Sequence, residues 1–284
     1  ICHRDEYMTA LVLYHDTYAC TGSACTGPAC ESAPDLVLLH GWGMHSVVWD
    51  PIVPALLEHY QVTVIDLPGM GRSPLPRGDY DLNYVIQHVL AVAPARAVWM
   101  GWSLGGEIAT AIAARHPERV SALLLVASNP SFAQREDWPC AMVSQQLQQF
   151  RDFYEEDPEG TLIRFLSLQC RGSRRMKEDI RFLQEIMYLQ GLPAPQALRA
   201  GLRLLAELDV RADFQRLTQP VQIVLGANDV LVPATLAPTL QALAHGSPRI
   251  CQISVLAESG HVPFLSEPDA FLAAILPFLV AQRG

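Results

Sequence analysis

A serine flanked by glycines is the residue in this chain best suited to covalent chemistry. Residues 101–106 read GWSLGG, so Ser103 stands between two glycines in the pattern G-x-S-x-G. A short apolar run, 97–100, precedes the motif, and a run with helical spacing, 104–116, follows it. Glycines permit the strained strand-to-helix turn that presents a serine hydroxyl, and the N-terminus of the helix favours negative charge there. We therefore predict that Ser103 is a catalytic nucleophile.

A serine hydroxyl needs a general base and an orienting acid, and two later loops offer them. Asp229 follows the apolar run 221–225, and His261 follows the apolar run 250–256. Both come after predicted strands, at the edge of a parallel sheet where sites form. The chain order serine, acid, histidine also fits this type of site. We predict that His261 takes the proton of Ser103 and that Asp229 fixes the tautomer of His261.

Three other side chains are weaker candidates for the base and the acid. His245 precedes the last predicted strand, and Asp209 belongs to a helical segment. Glu258 lies too close in sequence to His261 to be the obvious acid. Asp229 is preferred because its position, its order in the chain and its strand context agree.

Cleavage of an acyl group also needs N–H donors for the oxyanion that forms. One predicted donor is the backbone of Leu104, the residue after the nucleophile, and the other comes from the loop after an early strand. Residues 40–43, HGWG, occupy that loop, so the backbone of Trp42 is the predicted second donor. The rings of Trp42 and Trp102 then form apolar walls of the site or pack in the core.

The elements that must position these residues alternate between short apolar runs and helical patterns. Strands are predicted near 8–15 and at 36–40, 61–66, 97–101, 120–127, 221–225 and 250–256. Apolar residues three and four positions apart predict helices at 47–60, 83–93, 104–116 and 269–281. This alternation is typical of a mostly parallel sheet flanked by crossover helices.

One long segment, 129–213, interrupts the alternation. It has helical spacing throughout, no convincing strand, and prolines that separate its helices. Together with the serine motif, this predicts an α/β-hydrolase fold that carries an inserted helical cap. The predicted organisation is a first strand and Cys-rich hairpin (1–34), a core of two parts (35–128 and 214–284) and a cap (129–213).

Composition restricts the partners and the compartment. The formal net charge of −9 argues against nucleic acid as a partner, because phosphate backbones bind basic surfaces. No apolar run approaches the roughly 18 residues that a membrane span requires. We therefore expect a cytoplasmic protein without membrane contact, as a monomer, and the motifs require neither a cofactor nor a metal ion.

The cysteines form an unusual group near the N-terminus. The chain has seven cysteines, and three of them, Cys20, Cys25 and Cys30, are five residues apart. This spacing matches no zinc pattern. Free thiols in a reducing cytoplasm are favoured over a loop metal site or a disulfide.

Several segments together resemble the BioH family of pimeloyl-[acyl-carrier protein] methyl ester esterases. The segments are LVLLHGWG (36–43), DLPGMGRS (66–73), GWSLGG (101–106), HPERV (116–120), ASNPSF (127–132), DWP (137–139) and RFLSLQ (164–169). The likeness runs from about residue 35 to the C-terminus, and the N-terminal 34 residues depart from it. The resemblance implies hydrolysis of the methyl ester of pimeloyl-acyl carrier protein, through an acyl-enzyme on Ser103.

The resemblance also implies basic contacts between the cap and an acidic acyl carrier protein. Residues 164–181 contain six basic and two acidic side chains, a pattern that composition alone assigns to a solvated helix face. Arg164, Lys177 and Arg181 fall where the family carries basic contacts, whereas Gly160 replaces a family arginine. Phe165 either lines the acyl channel or packs as a buried core aromatic.

Two other functions fit the same residues. One is a carboxylesterase that acts on short-chain free esters, and the other is a non-catalytic binding protein on the hydrolase fold. Acyl transfer and cofactor-free haloperoxidase chemistry also use this triad, because fold does not fix function. Turnover of carrier-bound against free esters separates the two esterases, and labelling of Ser103 by a fluorophosphonate separates an enzyme from a binding protein.

Overall fold

A computed structural model describes residues 11–22, 33–244 and 251–283 of the chain. These residues form a seven-stranded sheet in the order β1-β3-β2-β4-β5-β6-β7. The strands are β1 (His15–Tyr18), β2 (Asp35–Leu39), β3 (Gln61–Ile65), β4 (Ala97–Trp102), β5 (Val120–Val126), β6 (Val221–Gly226) and β7 (Cys251–Leu256). Only the edge strand β1 pairs antiparallel with its neighbour, and every other pair in this sheet is parallel. The predicted α/β-hydrolase sheet is therefore confirmed.

Helices connect the strands and bury both faces of the sheet. They are α1 (Val53–Leu56), α2 (Leu82–Val92), α3 (Leu104–Arg115), α4 (Ser144–Glu156), α5 (Pro158–Gln169), α6 (Met176–Leu189), α7 (Pro195–Glu207), α8 (Arg211–Gln215), α9 (Ala237–Leu243), α10 (Pro263–Ser266) and α11 (Pro268–Ala281). Strands β4 and β6 are buried along their whole length, as expected for central parallel strands covered on both sides. Because parallel strands end at one edge, the loops after β4, β6 and β7 meet there.

The segment between β5 and β6 is helical, as the sequence predicts. It contains α4, α5, α6 and α7, followed by the short α8, and its only pairings of strand type are two isolated bridges, Ala133 with Met142 and Arg135 with Trp138. We call residues 129–213 the helical insertion. Its function as a separate cap remains a prediction.

Two predicted elements differ from the structure. The helix expected over 47–60 is a 3₁₀ turn, Ser46–Trp49, and the single helical turn α1. Pro51 stands between them, and a proline inside a helix removes a hydrogen bond and clashes with the preceding turn. The first strand, expected near 8–15, begins at His15, and residues 1–10 lie outside the described part of the chain.

The cysteine prediction is wrong for Cys20, which is disulfide-bonded. Cys25 and Cys30 lie outside the described residues. Cys140 and Cys170 are free thiols. The five-residue spacing alone did not distinguish a disulfide from free thiols, because pairing depends on how the loop folds.

Candidate active site

Ser103 lies at the end of β4, in the turn that leads into α3. Its φ of 53° and ψ of −122° fall in a region that residues with a Cβ rarely occupy. A Cβ on Gly105 would lie 2.4 Å from the carbonyl oxygen of Leu39, so only glycine fits between this turn and β2. The hydroxyl of Ser128 donates a hydrogen bond to the carbonyl of Ser103 at 2.9 Å. Close packing and this bond hold the strained turn that the sequence predicts.

The structure brings the three predicted triad residues into one hydrogen-bonded row. His261 Nε2 lies 2.9 Å from Ser103 Oγ, and His261 Nδ1 lies 2.7 Å from Asp229 Oδ2. The side chains of His261 and Asp229 are fully buried, and Ser103 is 3% exposed. These distances suit proton transfer from the serine hydroxyl to the imidazole.

The tautomer of His261 follows from its partners. An ionised carboxylate only accepts hydrogen bonds, so Asp229 requires the proton of the imidazole to be on Nδ1. Nε2 is then left as the acceptor for the Ser103 hydroxyl. The other oxygen of Asp229 accepts the backbone N–H groups of Leu231 and Val232 at 2.8 and 2.9 Å, which holds the carboxylate in place beside His261.

The loop after β2 runs beside the serine. A Cβ on Gly41 would lie 3.2 Å from the Cβ of Ser103, so the backbone next to Trp42 closely approaches the nucleophile. Leu104 is the first residue of α3, where backbone N–H groups have no acceptor within the helix. Both predicted oxyanion donors therefore lie next to Ser103 in the fold, and their function remains a prediction.

A buried histidine shapes this loop. His40 Nδ1 lies 2.8 Å from the carbonyl oxygen of Gly41, and its Nε2 accepts the backbone N–H of Leu67 at 2.9 Å. Burial lowers the pKa of His40 to about 4, because the charged imidazolium loses its solvation. The neutral ring, protonated on Nδ1, satisfies both bonds and sets the direction of the peptide that precedes Trp42.

The Trp42 side chain joins the core loop to the helical insertion. Its Nε1 donates to the carbonyl of Leu198 at 2.9 Å. Its ring packs edge-on against three aromatic rings of α4 and α5, with centroid distances of 4.9 Å to Phe165, 6.3 Å to Phe150 and 6.4 Å to Tyr154. Phe165 is buried in this cluster, so its position fits either of the two predicted roles.

Trp102 supports the histidine. Its Nε1 donates to the carbonyl of His261 at 2.8 Å, and its ring lies 5.8 Å from the imidazole and 5.3 Å from Phe264. Of the two interpretations offered by the sequence, packing in the core describes this ring better than an open wall.

The three predicted carrier contacts lie on the surface of the insertion. Arg164 stacks over the ring of Phe153 at 5.5 Å, and Arg181 pairs with Glu185 at 2.8 Å on α6. Lys177 is exposed in the first turn of α6. Gly160 lies in the first turn of α5, where its backbone N–H binds the capping Asp157. The four positions occupy neighbouring helices, and no described contact joins Arg164, Lys177 or Arg181 to the triad.

The weaker candidates have other partners. Asp209 pairs with Arg211 at 2.6 Å, and Glu258 pairs with Arg174 at 3.2 Å. His245 lies outside the described residues.

Sequence reasoning missed two polar residues on the inner face of α5. Gln169 and Thr161 are fully buried, and neither the Gln169 amide nor the Thr161 hydroxyl has a hydrogen-bond partner in the described part of the chain. Both stand four residues from Phe165, so all three share one helix face. That spacing, with polar residues on an otherwise apolar face, was the signal that could have identified them. Buried polar groups are normally hydrogen-bonded, so these two side chains are available to a bound water or to a polar atom of a ligand.

A groove of about 320 Å³ opens between α4, α5 and the loop that carries Asp229. Its lining includes Phe150, Phe153, Arg171 and Leu231. Phe150 contacts Trp42, and Leu231 donates to Asp229. The groove therefore reaches from the surface of the insertion to residues that adjoin the triad.

Two further observations concern metals and membranes. Within residues 11–22, 33–244 and 251–283, no cluster of three His, Cys, Asp or Glu side chains is placed to hold a metal ion. In the same part of the chain, no helix is both long and apolar enough to cross a membrane.

Comparison with known proteins identifies the same fold and, within it, similarity to one group of esterases. Residues 34–268 match the alpha/beta hydrolase fold family. The chain is 42% identical over 249 residues to pimeloyl-[acyl-carrier protein] methyl ester esterase of Aeromonas hydrophila, covering 87% of this chain and 95% of that protein. It is also 42% identical over 246 residues to the same enzyme of Edwardsiella ictaluri, covering 86% of this chain and 92% of that protein.

Solved structures agree on the fold alone. An esterase from Exiguobacterium antarcticum superposes with a TM-score of 0.78 at 21% identity, covering 94% of this chain and 95% of that one. An enol-lactonase from Burkholderia xenovorans superposes with a TM-score of 0.77 at 20% identity, covering 94% and 96%. Because an esterase and an enol-lactonase share this fold, the fold alone does not identify the substrate.

Proposed function

The chain belongs to the alpha/beta hydrolase fold family and, within it, to the pimeloyl-[acyl-carrier protein] methyl ester esterases, and on this basis we propose that it hydrolyses the methyl ester of pimeloyl-[acyl-carrier protein]. The observation that carries ester hydrolysis is the buried row of hydrogen bonds from Ser103 through His261 to Asp229. The choice of ester is supported by the relatives and by the basic surface of the insertion.

In the first half-reaction, Ser103 Oγ attacks the carbonyl carbon of the methyl ester while His261 Nε2 accepts the hydroxyl proton. The carbonyl oxygen becomes an oxyanion, which the backbone N–H groups of Trp42 and Leu104 stabilise. Asp229 stabilises the imidazolium. The bond to the methoxy oxygen then breaks, His261 returns its proton to that oxygen, and methanol leaves an acyl-enzyme.

In the second half-reaction, His261 takes a proton from water, and the resulting hydroxide attacks the acyl carbon. The bond to Ser103 Oγ breaks, and the serine regains its proton from His261. The acyl chain leaves with a free carboxyl group at the end that carried the methyl ester. The thioester to the carrier does not take part in either step.

Because the triad is buried, the substrate must arrive through a channel rather than across an open surface. We take the helical insertion, 129–213, as the cap that forms this channel over the core. The groove beside Asp229 is a suitable route for the acyl arm, since its walls are largely apolar and the exposed Arg171 is one of its lining residues. Gln169 and Thr161 then offer hydrogen bonds to polar atoms of the arm inside the cap.

The carrier is expected to bind on the outer surface of the insertion. Arg164, Lys177 and Arg181 are exposed on α5 and α6, and they present positive charge on a chain whose net charge is −9. An acidic partner would be drawn to this surface by complementary charge, which acts mainly on association. The cytoplasmic location and the monomeric state remain predictions.

Steady-state kinetics with two substrates test the proposal. The purified protein should hydrolyse pimeloyl-carrier methyl ester with a higher kcat/KM than methyl butyrate, and Ser103→Ala should hydrolyse neither. Raising the salt concentration should weaken the carrier reaction far more than the free-ester reaction. A free short-chain ester turned over as well as the carrier ester would contradict the proposed substrate. Equal salt responses would contradict the basic docking surface.

A further inference from the structure

The connection between α5 and α6, residues 170–175, lies against both catalytic loops. The backbone N–H of His261 donates to the carbonyl of Gln169, the last residue of α5, at 2.9 Å. The backbone N–H of Arg174 donates to the carbonyl of Glu258 at 3.2 Å. The general base therefore takes one of its backbone bonds from the insertion rather than from the core.

Two glycines show how close this approach is. A Cβ on Gly260 would lie 2.7 Å from the carbonyl oxygen of Arg171, and a Cβ on Gly172 would lie 2.5 Å from the Cβ of Asn228. Gly260 precedes His261, and Asn228 precedes Asp229. The position of this connection therefore restricts where both triad loops can lie.

A buried carboxylate ties the connection to the segment that follows the histidine. Asp179 on α6 is 1% exposed. Its Oδ2 accepts hydrogen bonds from the hydroxyl of Ser173, in the connection, at 2.6 Å and from the hydroxyl of Ser266, on α10, at 2.9 Å. The backbone N–H of Ser266 in turn bonds the carbonyl of Val262, next to His261, at 2.9 Å. A single carboxylate thus links the insertion to the helical turn that begins beside the base.

Burial of a carboxylate is unfavourable unless its hydrogen bonds replace the lost solvation, and within the described residues Asp179 has hydrogen-bond partners on Oδ2 but none on Oδ1. Asp179 Oδ2 accepts hydrogen bonds from the α5–α6 connection and from α10, which are far apart in sequence but meet at the loop that carries His261. Neither hydroxyl belongs to the triad, and Asp179 contacts neither Ser103 nor His261 directly in the described structure. Any effect on the chemistry must therefore pass through the backbone of the loop.

We propose that Asp179 is a positioning residue for His261: through Ser173 and Ser266 it holds the α5–α6 connection and α10 at the spacing that keeps the imidazole in line with Ser103. The inference rests on the proposed esterase activity of Ser103. Small displacements of a catalytic group lower the rate strongly, because proton transfer needs hydrogen-bond distance.

The test compares kcat with stability in matched variants, using p-nitrophenyl butyrate as a small free ester and the full chain. Asp179→Ala removes the acceptor and should lower kcat about tenfold, with KM within about twofold of wild type. Asp179→Asn keeps an oxygen that accepts both hydroxyls, so it should restore kcat to within about threefold. Ser266→Ala should reproduce the loss, and combining it with Asp179→Ala should add little.

Asp213→Ala is the control for a merely structural loss. Asp213 is also a buried carboxylate, but its ion-pair partners are Arg115 and Arg216, neither of which belongs to the loops that carry Asp229 and His261. This variant should have a lower Tm and an unchanged kcat when assayed well below that Tm. All assays are made at a temperature where circular dichroism shows each variant folded.

The outcomes separate the inference from the proposed function. If Asp179→Ala and Ser266→Ala lose Tm but keep kcat within twofold of wild type, Asp179 is structural only and the inference is overturned. Should Asp179→Ala not fold, Ser266→Ala alone decides the matter by the same criterion. If wild type shows no hydrolysis that Ser103→Ala abolishes, it is the proposed function that fails.

Discussion

The triad and the surface of the helical insertion place polar residues in opposite ways. In the triad, His261 and Asp229 are fully shielded from solvent, and each bonds the next residue of the row. On the insertion, Arg181 and its partner Glu185 are 82% and 61% exposed, and the pair contributes little to holding the fold. A buried side chain is held in one conformation by its packing and hydrogen bonds. An exposed side chain can adopt several conformations until a partner binds it.

This difference separates chemistry from selection of the substrate. In the proposed reaction, bond cleavage depends on distances that buried contacts of the core and of the insertion fix before any substrate binds. The proposed recognition of a carrier would depend on exposed charges whose effect is measured only when the carrier is present. Changes in the two regions should therefore alter different kinetic constants, and four experiments of decreasing expected effect examine that separation.

The largest effect is expected from Asp229→Asn. The amide presents a donor to His261 Nδ1, which favours the tautomer with the proton on Nε2 and removes the acceptor for Ser103. We expect kcat to fall about 10⁴-fold on carrier and free esters alike, with no change in affinity for the carrier. Asp269→Asn, on the exposed start of α11, is the matched control. A loss seen only with the carrier ester would contradict the separation.

The next effect concerns stability and pH. The pKa of His40 is about 4 in the folded protein and about 6.5 in the unfolded chain, so the unfolded state binds more protons between these values. The contribution of neutral, buried His40 to the free energy of unfolding is fully present above pH 6.5. It is lost as the pH falls towards 4, by about 3 kcal/mol in total.

Urea unfolding from pH 7.5 to 4 measures this effect. Wild type should lose more free energy of unfolding over that interval than His40→Gln, whose side chain does not titrate. Equal losses in the two proteins would show that His40 is not held neutral. No such pH-dependent change in the free energy of unfolding is expected from replacing the exposed arginines of the insertion.

A smaller and more selective effect is expected from charge reversal on the insertion. Arg164→Glu and Arg181→Glu should each raise KM for the carrier ester about tenfold, because like charges repel the acidic partner. The kcat for free esters should stay within about twofold of wild type. Arg96→Glu, on the exposed loop before β4, tests whether net charge alone is responsible. If it raises KM as much, the docking surface is not specific.

The smallest effect is expected from Glu155→Gln, which breaks the ion pair with Arg199 at 2.7 Å. Both side chains are about half exposed, and solvent screens such pairs strongly. Thermal unfolding should show a change in Tm of no more than about 2 °C, and kcat should not change. A large fall in Tm would mean that exposed charges of the insertion do hold the fold together.

The triad was predictable from sequence because its determinants are local. Ser103 lies between a strand and a helix that apolar spacing reveals, and Asp229 and His261 follow strands directly. Parallel strands end at one edge, so three separate motifs meet without any knowledge of distances. Chain order then predicts which residue is the acid and which is the base, and these roles remain predictions.

The contacts between the insertion and the core were not predictable in the same way. Nothing in the sequence near Asp179 indicates that it bonds Ser266, 87 residues away. The disulfide of Cys20 and the Gln169 amide, which lacks a hydrogen-bond partner among the described residues, likewise depend on how segments fold together. The interrupted helix at 47–60 is different, because Pro51 is a local signal in the sequence that disfavours one continuous helix there.

Trp42 has a consequence for how the molecule can be observed. Its indole is 1% exposed and bonds the carbonyl of Leu198 across the boundary between core loop and insertion. Separation of the insertion from the core would break that bond and expose the indole ring to water. The emission of this tryptophan would then shift to longer wavelength, so the protein carries a fluorophore at the contact between the core loop and the insertion.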